Sequence, residues 1–180
     1  EFESNVPEEF RLNTKGIEVG HIFYFGDKYS KPMNASVDYQ GKKEFVKMGS
    51  YGVGVSRLVG AIIEAKYNDK DEIMKWPLCI SPYEVGIIPI INKNDNSTLE
   101  KANNLYEILK NNHIDTIIDD TDENFSSKMK KFNLIGVPFQ IIIGKKSNNN
   151  LFEFKETGKD TQNLSVEQII KNIKKEKEKF

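Results

Sequence analysis

Hydrophobic and polar positions divide the chain into two stretches with different patterns. In the first, an apolar run at 17–25 predicts a strand because it is rich in β-branched and aromatic residues. Two further apolar segments flank Gln40-Gly41, which predicts a hairpin. Apolar residues then recur at helical spacing from 58 to 65, and this spacing predicts a helix packed on most sides.

The second stretch alternates strand and helix signals. Short apolar runs predict strands at 85–91, 116–118, 139–143 and 151–154. Amphipathic spacing and end signals predict helices at 97–111 (with Ser97 as N-cap), 125–134 and 166–175. The order β-α-β-α-β-β-α predicts a compact α/β domain with a mixed sheet.

Prolines mark the boundary between these stretches. Pro77 and Pro82 bracket a short segment with no periodic pattern. The predicted organisation is a first domain at 1–77, a linker at 78–82 and a second domain at 83–180.

Composition excludes several classes of protein. The 180 residues are 38% hydrophobic and 29% charged with a formal net charge of -1, so any RNA contact must rest on local patches. A single cysteine, Cys79, excludes an internal disulfide and fits a reducing, cytoplasmic setting. No apolar run reaches the length of a membrane span, and no signal peptide opens the chain. The first residue is not methionine, which is compatible with a fragment.

One glycine-rich segment carries candidate chemistry. Gly49-x-x-Gly52-x-Gly54-x-x-Arg57 leads from a predicted strand into the helix, and it matches neither the dinucleotide pattern nor the P-loop. Missing side chains let a flat ring lie against the strand, and an arginine one turn into the helix can reach a polyphosphate.

This arrangement has the form of motif 3 of class II aminoacyl-tRNA synthetases. The chain resembles the bacterial-type prolyl-tRNA synthetases over roughly residues 15–180, because several short sequence motifs occur in the expected order. These motifs lie at 16–23, 28–30, 48–57, 80–85, Asp119-Asp120-x-Asp122-Glu123 and 134–138.

The resemblance implies the end of a class II antiparallel-sheet catalytic core followed by the mixed-sheet anticodon-binding domain, an α+β to α/β chain. It also implies a ligase that uses ATP and Mg²⁺ to activate proline and transfer it to the tRNA for proline. Homodimerisation of the full-length enzyme is expected on the same ground. Motifs 1 and 2 of the class are absent from these residues, so we expect the chain alone to be inactive.

Site residues follow from the same resemblance. Arg57 would be the catalytic residue and would contact ATP; the other ATP-binding residues would be Glu18, His21, Gly52 and Gly54. Glu18 would also face Mg²⁺ through the ATP phosphates. Phe23, Gly49 and Ser50 would line the proline pocket, although many members carry cysteine where this chain has Ser50.

In the second domain, an acidic run is the candidate anticodon reader. Carboxylates accept hydrogen bonds from guanine edges, and proline anticodons carry two successive guanines. The implied base contacts are Asp120, Asp122 and Glu123, next to Asp119. The tRNA phosphates would be neutralised by Lys128, Lys130, Lys131, Lys145 and Lys146.

Other interpretations of the same residues stay open. Arg57 could be a surface arginine, His21 and Phe23 could be core residues, and the acidic run could be a solvated loop. The whole chain could also be a non-catalytic RNA-binding or accessory module, or part of another class II synthetase such as the threonyl or histidyl enzyme.

Overall fold

The computed structural model describes residues 5–12, 14–91, 96–144, 147 and 151–179. The chain divides into two compact units, a first unit at Glu1–Ala61 and a second unit at Ile62–Phe180. This division falls inside a helix and upstream of the linker predicted at 78–82, where the structure has a short 3₁₀ helix, Leu78–Ile80.

Two small antiparallel sheets make up most of the first unit. Its elements are β1 (Gly20–Gly26), β2 (Ser36–Tyr39), β3 (Lys42–Phe45), β4 (Met48–Val53) and the start of α1 (Val55–Lys66), after a 3₁₀ turn at Glu8–Phe10. β1 pairs with β4 and β2 pairs with β3. Gln40 and Gly41 both have positive φ (51° and 76°), as a tight two-residue hairpin requires, so the predicted hairpin is confirmed.

The prediction for α1 is only half right. A helix does follow the glycine-rich strand, but none of its residues is buried, whereas the pattern predicted packing on most sides. Val55 and Val59 are exposed. Periodicity reports which faces of a helix are apolar, and it does not say whether these 180 residues supply an element to cover them.

A five-stranded mixed sheet with three helices forms the second unit. The strands are β5 (Val85–Pro89), β6 (Thr116–Ile118), β7 (Phe139–Ile143), β8 (Phe152–Glu156) and β9 (Thr161–Leu164), in the order β6-β5-β7-β8-β9. The helices are α2 (Ser97–Asn111), α3 (Phe125–Ile135) and α4 (Val166–Lys177). β5 pairs in parallel with β6 and β7, and the pairs β7–β8 and β8–β9 are antiparallel.

The core lies on both faces of this sheet. All five residues of β5 are buried, as expected for a central parallel strand covered on both sides. Ile87 belongs to the larger apolar cluster, and its neighbour Ile88 belongs to the smaller one with Phe132 and Val137. Successive residues of a strand face opposite sides, so one strand serves both clusters.

Two details of the second unit differ from the prediction. β9 was missed, because Thr161-Gln162-Asn163-Leu164 is a polar strand at the sheet edge and lacks an apolar run. Asn96 rather than Ser97 is the N-cap of α2, and its side chain makes no capping hydrogen bond. Among helices of the described residues, none combines the length and the apolar character needed to cross a bilayer.

The segment at 67–77, which we call the strap, packs on the second unit. Met74 is buried, and its backbone N–H donates to Asn133 O at 2.9 Å. The Trp76 indole N–H donates to Ile135 O at 3.0 Å. Gly136 ends α3 in the left-handed conformation (φ 83°), and a Cβ there would lie 2.6 Å from Met74 Cγ. These contacts explain why the division between units precedes the predicted linker.

Candidate nucleotide and anticodon sites

The pairing of β1 with β4 brings most of the predicted nucleotide and proline residues together. Phe23 lies opposite Ser50, and His21 lies opposite Gly52. At Gly49 a Cβ would lie 3.3 Å from Phe23 O, so the strands approach closely there. Residues 27 and 31 positions apart in sequence are therefore neighbours on one two-stranded surface.

Arg57 is held at the edge of this surface by Glu18. Its Nη1 donates to Glu18 O at 2.7 Å and lies 3.9 Å from Glu18 Oε2. His21 Nδ1 is 3.5 Å from Glu18 Oε1 on the other side. The side chains of Arg57 and Glu18 are 58% and 63% exposed, so both charges remain open to a ligand.

Glycines leave free space next to these charges. A Cβ built on Gly52 meets nothing within 4 Å, so the strand presents bare backbone there. Gly54 packs on the arginine itself, since its Cβ would lie 3.2 Å from Arg57 Cβ. Bare backbone beside an exposed guanidinium is compatible with a flat base attached to a polyphosphate, and the exposed Glu18 carboxylate is a group of the type that binds Mg²⁺. Among the described residues, no three His, Cys, Asp or Glu side chains cluster as a metal site.

In the second unit, residues 119–123 form the acidic loop between β6 and α3. Asp120, Asp122 and Glu123 are exposed, as a base-reading role requires, while Asp119 is buried. Asp119 Oδ1 accepts from Thr121 N at 3.1 Å and from Thr121 Oγ1 at 2.5 Å. The structure therefore brings the predicted acidic residues together, with one of them turned inward.

Lys128 is a correction to the predicted set of phosphate contacts. Its side chain is 1% exposed, so it cannot meet a phosphate at the surface. Its Nζ instead donates to Asp119 O at 2.9 Å and to Pro89 O at 3.2 Å. Sequence reasoning missed this, although a signal exists: Lys128 lies four residues before the core residue Phe132, on the same face of α3.

The remaining predicted lysines differ in their surroundings. Lys131 is half-buried and bridges Asp119 Oδ2 at 3.0 Å and Glu123 Oε2 at 3.2 Å. Lys130 is exposed and pairs with Glu72 at 3.3 Å. Lys145 and Lys146 lie outside the described residues.

Protonation equilibria agree with a charged network at the acidic loop. Burial by itself raises the pKa of Asp119, but hydrogen bonds from Thr121 and Lys131 outweigh it and leave that pKa below its usual value. The hydrogen bond to Asp119 raises the pKa of Lys131. Burial lowers the pKa of Lys128, and the charge of Asp119 opposes this shift.

The sequence of the second unit matches a known domain family. Residues 84–176 match the family described as the anticodon binding domain, and the chain belongs to that family. Its mixed sheet with helices on both faces is the architecture that carries the acidic loop.

Relatives extend the likeness across both units. The chain is 68% identical to the proline–tRNA ligase of Pelagibacter ubique (strain HTCC1062) over 98% of its own length and 40% of that protein. It is 48% identical to the proline–tRNA ligase of Wolbachia sp. subsp. Brugia malayi (strain TRS), over 92% of this chain and 38% of the relative. It is 46% identical to that of Parvibaculum lavamentivorans over 79% of this chain. The chain thus spans about 40% of the length of the first of these relatives, and the likeness favours neither the accessory-module nor the threonyl alternative.

Proposed function

We propose that this chain is the C-terminal part of a proline–tRNA ligase. The observation that carries the proposal is the joint presence of Glu18 and Arg57 around bare backbone at Gly52 in a chain whose other unit belongs to the anticodon-binding family. The longer protein would form prolyl-adenylate from proline and ATP with release of pyrophosphate. It would then transfer the prolyl group to its tRNA in the cytoplasm with release of AMP.

The first unit would supply one edge of the site for proline activation. Arg57 would bind the polyphosphate through its guanidinium, which stays charged at any working pH. Glu18 orients Arg57 through its carbonyl and would hold Mg²⁺ together with phosphate oxygens. His21 and Gly52 would lie against the nucleotide, while Phe23, Gly49 and Ser50 would line the proline pocket.

The rest of the longer protein would complete this edge. A two-stranded sheet is marginal by itself, and β1 and β4 expose large apolar side chains. The most exposed are Ile22, Tyr24, Tyr51 and Val53. Further strands of the catalytic core, and the second subunit of a homodimer, would cover such surface.

The second unit would read the anticodon. Asp120, Asp122 and Glu123 are exposed carboxylates beyond the carboxyl end of a strand, an edge at which ligands bind in sheets with parallel strands. They would accept hydrogen bonds from the two anticodon guanines, and exposed lysines including Lys130 would meet the phosphates.

Pyrophosphate exchange tests the catalytic part of the proposal. In the longer ligase, Arg57→Ala should lower proline-dependent ATP–pyrophosphate exchange by one to two orders of magnitude. The reason is the loss of charge-assisted hydrogen bonds, each worth roughly 1.5–3 kcal/mol. Lys43→Ala, at an exposed position of β3, is the control and should leave exchange unchanged. Normal exchange by the Arg57 variant, or robust exchange by the 180-residue chain alone, would contradict the proposal.

A further inference from the structure

Lys128 is a buried ammonium with specific partners. Its side chain is 1% exposed, and its Nζ donates to two main-chain carbonyls and lies 3.9 Å from Asp119 Oδ1. Burying an ammonium is costly unless hydrogen bonds and an opposite charge compensate it. An apolar side chain would fill the same space beside Phe132 without that cost, so the ammonium calls for a role beyond packing.

The partners of Lys128 lie at the root of the acidic loop. Pro89 is the last residue of β5, and Asp119 is the first residue after β6. Asp119 also donates its backbone N–H to Ile87 O at 3.1 Å, which continues the ladder between these two strands. The ammonium therefore joins the carboxyl ends of two parallel strands at the point where the loop leaves the sheet.

The Asp119 carboxylate fixes the rest of the acidic loop through hydrogen bonds. One carboxylate oxygen accepts from the backbone and hydroxyl of Thr121, and the other accepts from Lys131 at 3.0 Å. Lys131 in turn holds Glu123 at 3.2 Å, and Glu123 accepts from Ser127 Oγ at 2.8 Å. Asp120 and Asp122 remain exposed between these fixed points.

We propose that Lys128 is a positioning residue for anticodon reading, which sets the acidic loop so that Asp120 and Asp122 meet the guanine edges. This inference rests on the proposed function of the second unit. Because the ammonium is buried, it contributes nothing to phosphate attraction, whereas hydrogen bonds to base edges depend on where the carboxylates stand. Lys128 thus governs discrimination between anticodons and leaves the salt-dependent part of the affinity unchanged.

Replacing the ammonium by an apolar chain of similar length tests this assignment. The 180-residue chain is compared as wild type, Lys128→Met and Lys130→Met in binding to the tRNA for proline and to the same tRNA with its anticodon guanines replaced. The wild-type chain should prefer the natural tRNA by about thirtyfold or more, since two guanines are replaced. Lys128→Met should lose most of that ratio with an unchanged salt slope. Lys130→Met, on the exposed side of the same helix, should keep the ratio but bind both tRNAs more weakly with a reduced salt slope, since it removes a proposed phosphate contact.

The possible outcomes distinguish a failure of this inference from a failure of the proposed anticodon reading. A folded Lys128→Met chain with the wild-type ratio, or with equal losses for both tRNAs, would overturn the inference alone, since a purely structural role weakens all binding alike. A wild-type chain without preference would overturn the proposed function and this inference with it. If Lys128→Met does not fold by its melting curve, Lys131→Met removes the other tether of Asp119, and a retained ratio there overturns the inference.

Discussion

At the scale of single residues, absent side chains matter as much as charged ones. Gly86 lies in the middle of β5, where a Cβ would stand 2.6 Å from Cε1 and 2.7 Å from Cδ1 of Phe132. No real Cβ tolerates such a distance to a ring fixed in a core, so α3 can pack on the sheet only because this position is glycine.

Adding one methyl group to Gly86 tests that packing. Gly86→Ala should lower the free energy of unfolding by about 1–3 kcal/mol, because the Phe132 ring or the strand must shift. Gly144→Ala is the matched control, since its Cβ would be 3.6 Å from Ile90 Cδ1, an ordinary contact. Urea unfolding of both variants provides the measurement, and equal stability of the two would contradict the packing argument.

The sequence predicted some residues of the candidate sites and did not predict the roles of others. The motif spacing singled out Arg57 and the family resemblance added Glu18, and the structure joins the two at 2.7 Å. The spacing of four between Lys128 and Phe132 was the one signal for the burial of Lys128, and it was outweighed because lysine is almost never fully buried. The partners of Lys128 could not be predicted, since they include main-chain carbonyls, which have no sequence signature. The role of Asp119 as an internal anchor was hidden for the same reason.

At the scale of elements, the strap at 67–77 determines where the second unit begins. Met74 is 2% exposed and packs on the end of α3. Met74→Ala should therefore cost about 2–5 kcal/mol in the unfolding of the second unit, as expected for truncation of a buried side chain. Met33→Ala, at a side chain that is 70% exposed, should cost little. If denaturant unfolding shows equally small losses of stability for Met74→Ala and Met33→Ala, the strap is not part of this unit.

The strap is also tied to β8 through charge. Lys75 and Lys159 both contact Glu156, at 2.5 Å and 2.8 Å. Burial raises the pKa of Glu156, but hydrogen bonds from Lys159 and Lys75 outweigh it, and the result is a pKa below the usual value. The ionised carboxylate therefore stabilises the fold.

This lowered pKa predicts a direction of pH dependence. The contribution of Glu156 is complete above the unfolded-state value of about 4.3 and is lost as pH falls through the lower folded value. In unfolding experiments from pH 6 to 3, Glu156→Gln should lose less stability than the wild type, whereas Glu153→Gln, exposed on the same strand, should follow the wild type. Parallel curves for wild type and Glu156→Gln would contradict the prediction.

Elements with a strong apolar period were predictable, whereas a polar strand at the sheet edge was not. The helix predicted at 97–111 and the strand at 116–118 have the predicted bounds. β9 was missed because an edge strand needs no apolar alternation. The compact second unit begins at Ile62, ahead of the linker predicted at 78–82, because side chains such as Met74 pack on it.

At the scale of the whole molecule, the two units contribute different kinds of evidence. The second unit has its own core and belongs to the anticodon-binding family. The first has charged residues and bare backbone on a two-stranded sheet with exposed apolar side chains. Resemblance was needed to connect the two in one function, because nothing in periodicity or composition predicts which RNA or amino acid a site takes.

Binding of the 180-residue chain to the tRNA for proline, with and without its two anticodon guanines, tests the central claim most directly. Filter binding at two salt concentrations should show an affinity that falls as salt rises, because lysines neutralise phosphates. Replacing each guanine should cost on the order of 1–3 kcal/mol, a range taken from base readout on DNA. Equal affinity for natural and substituted tRNAs would show that the chain recognises shape or backbone only, and would contradict the proposed reading of the anticodon.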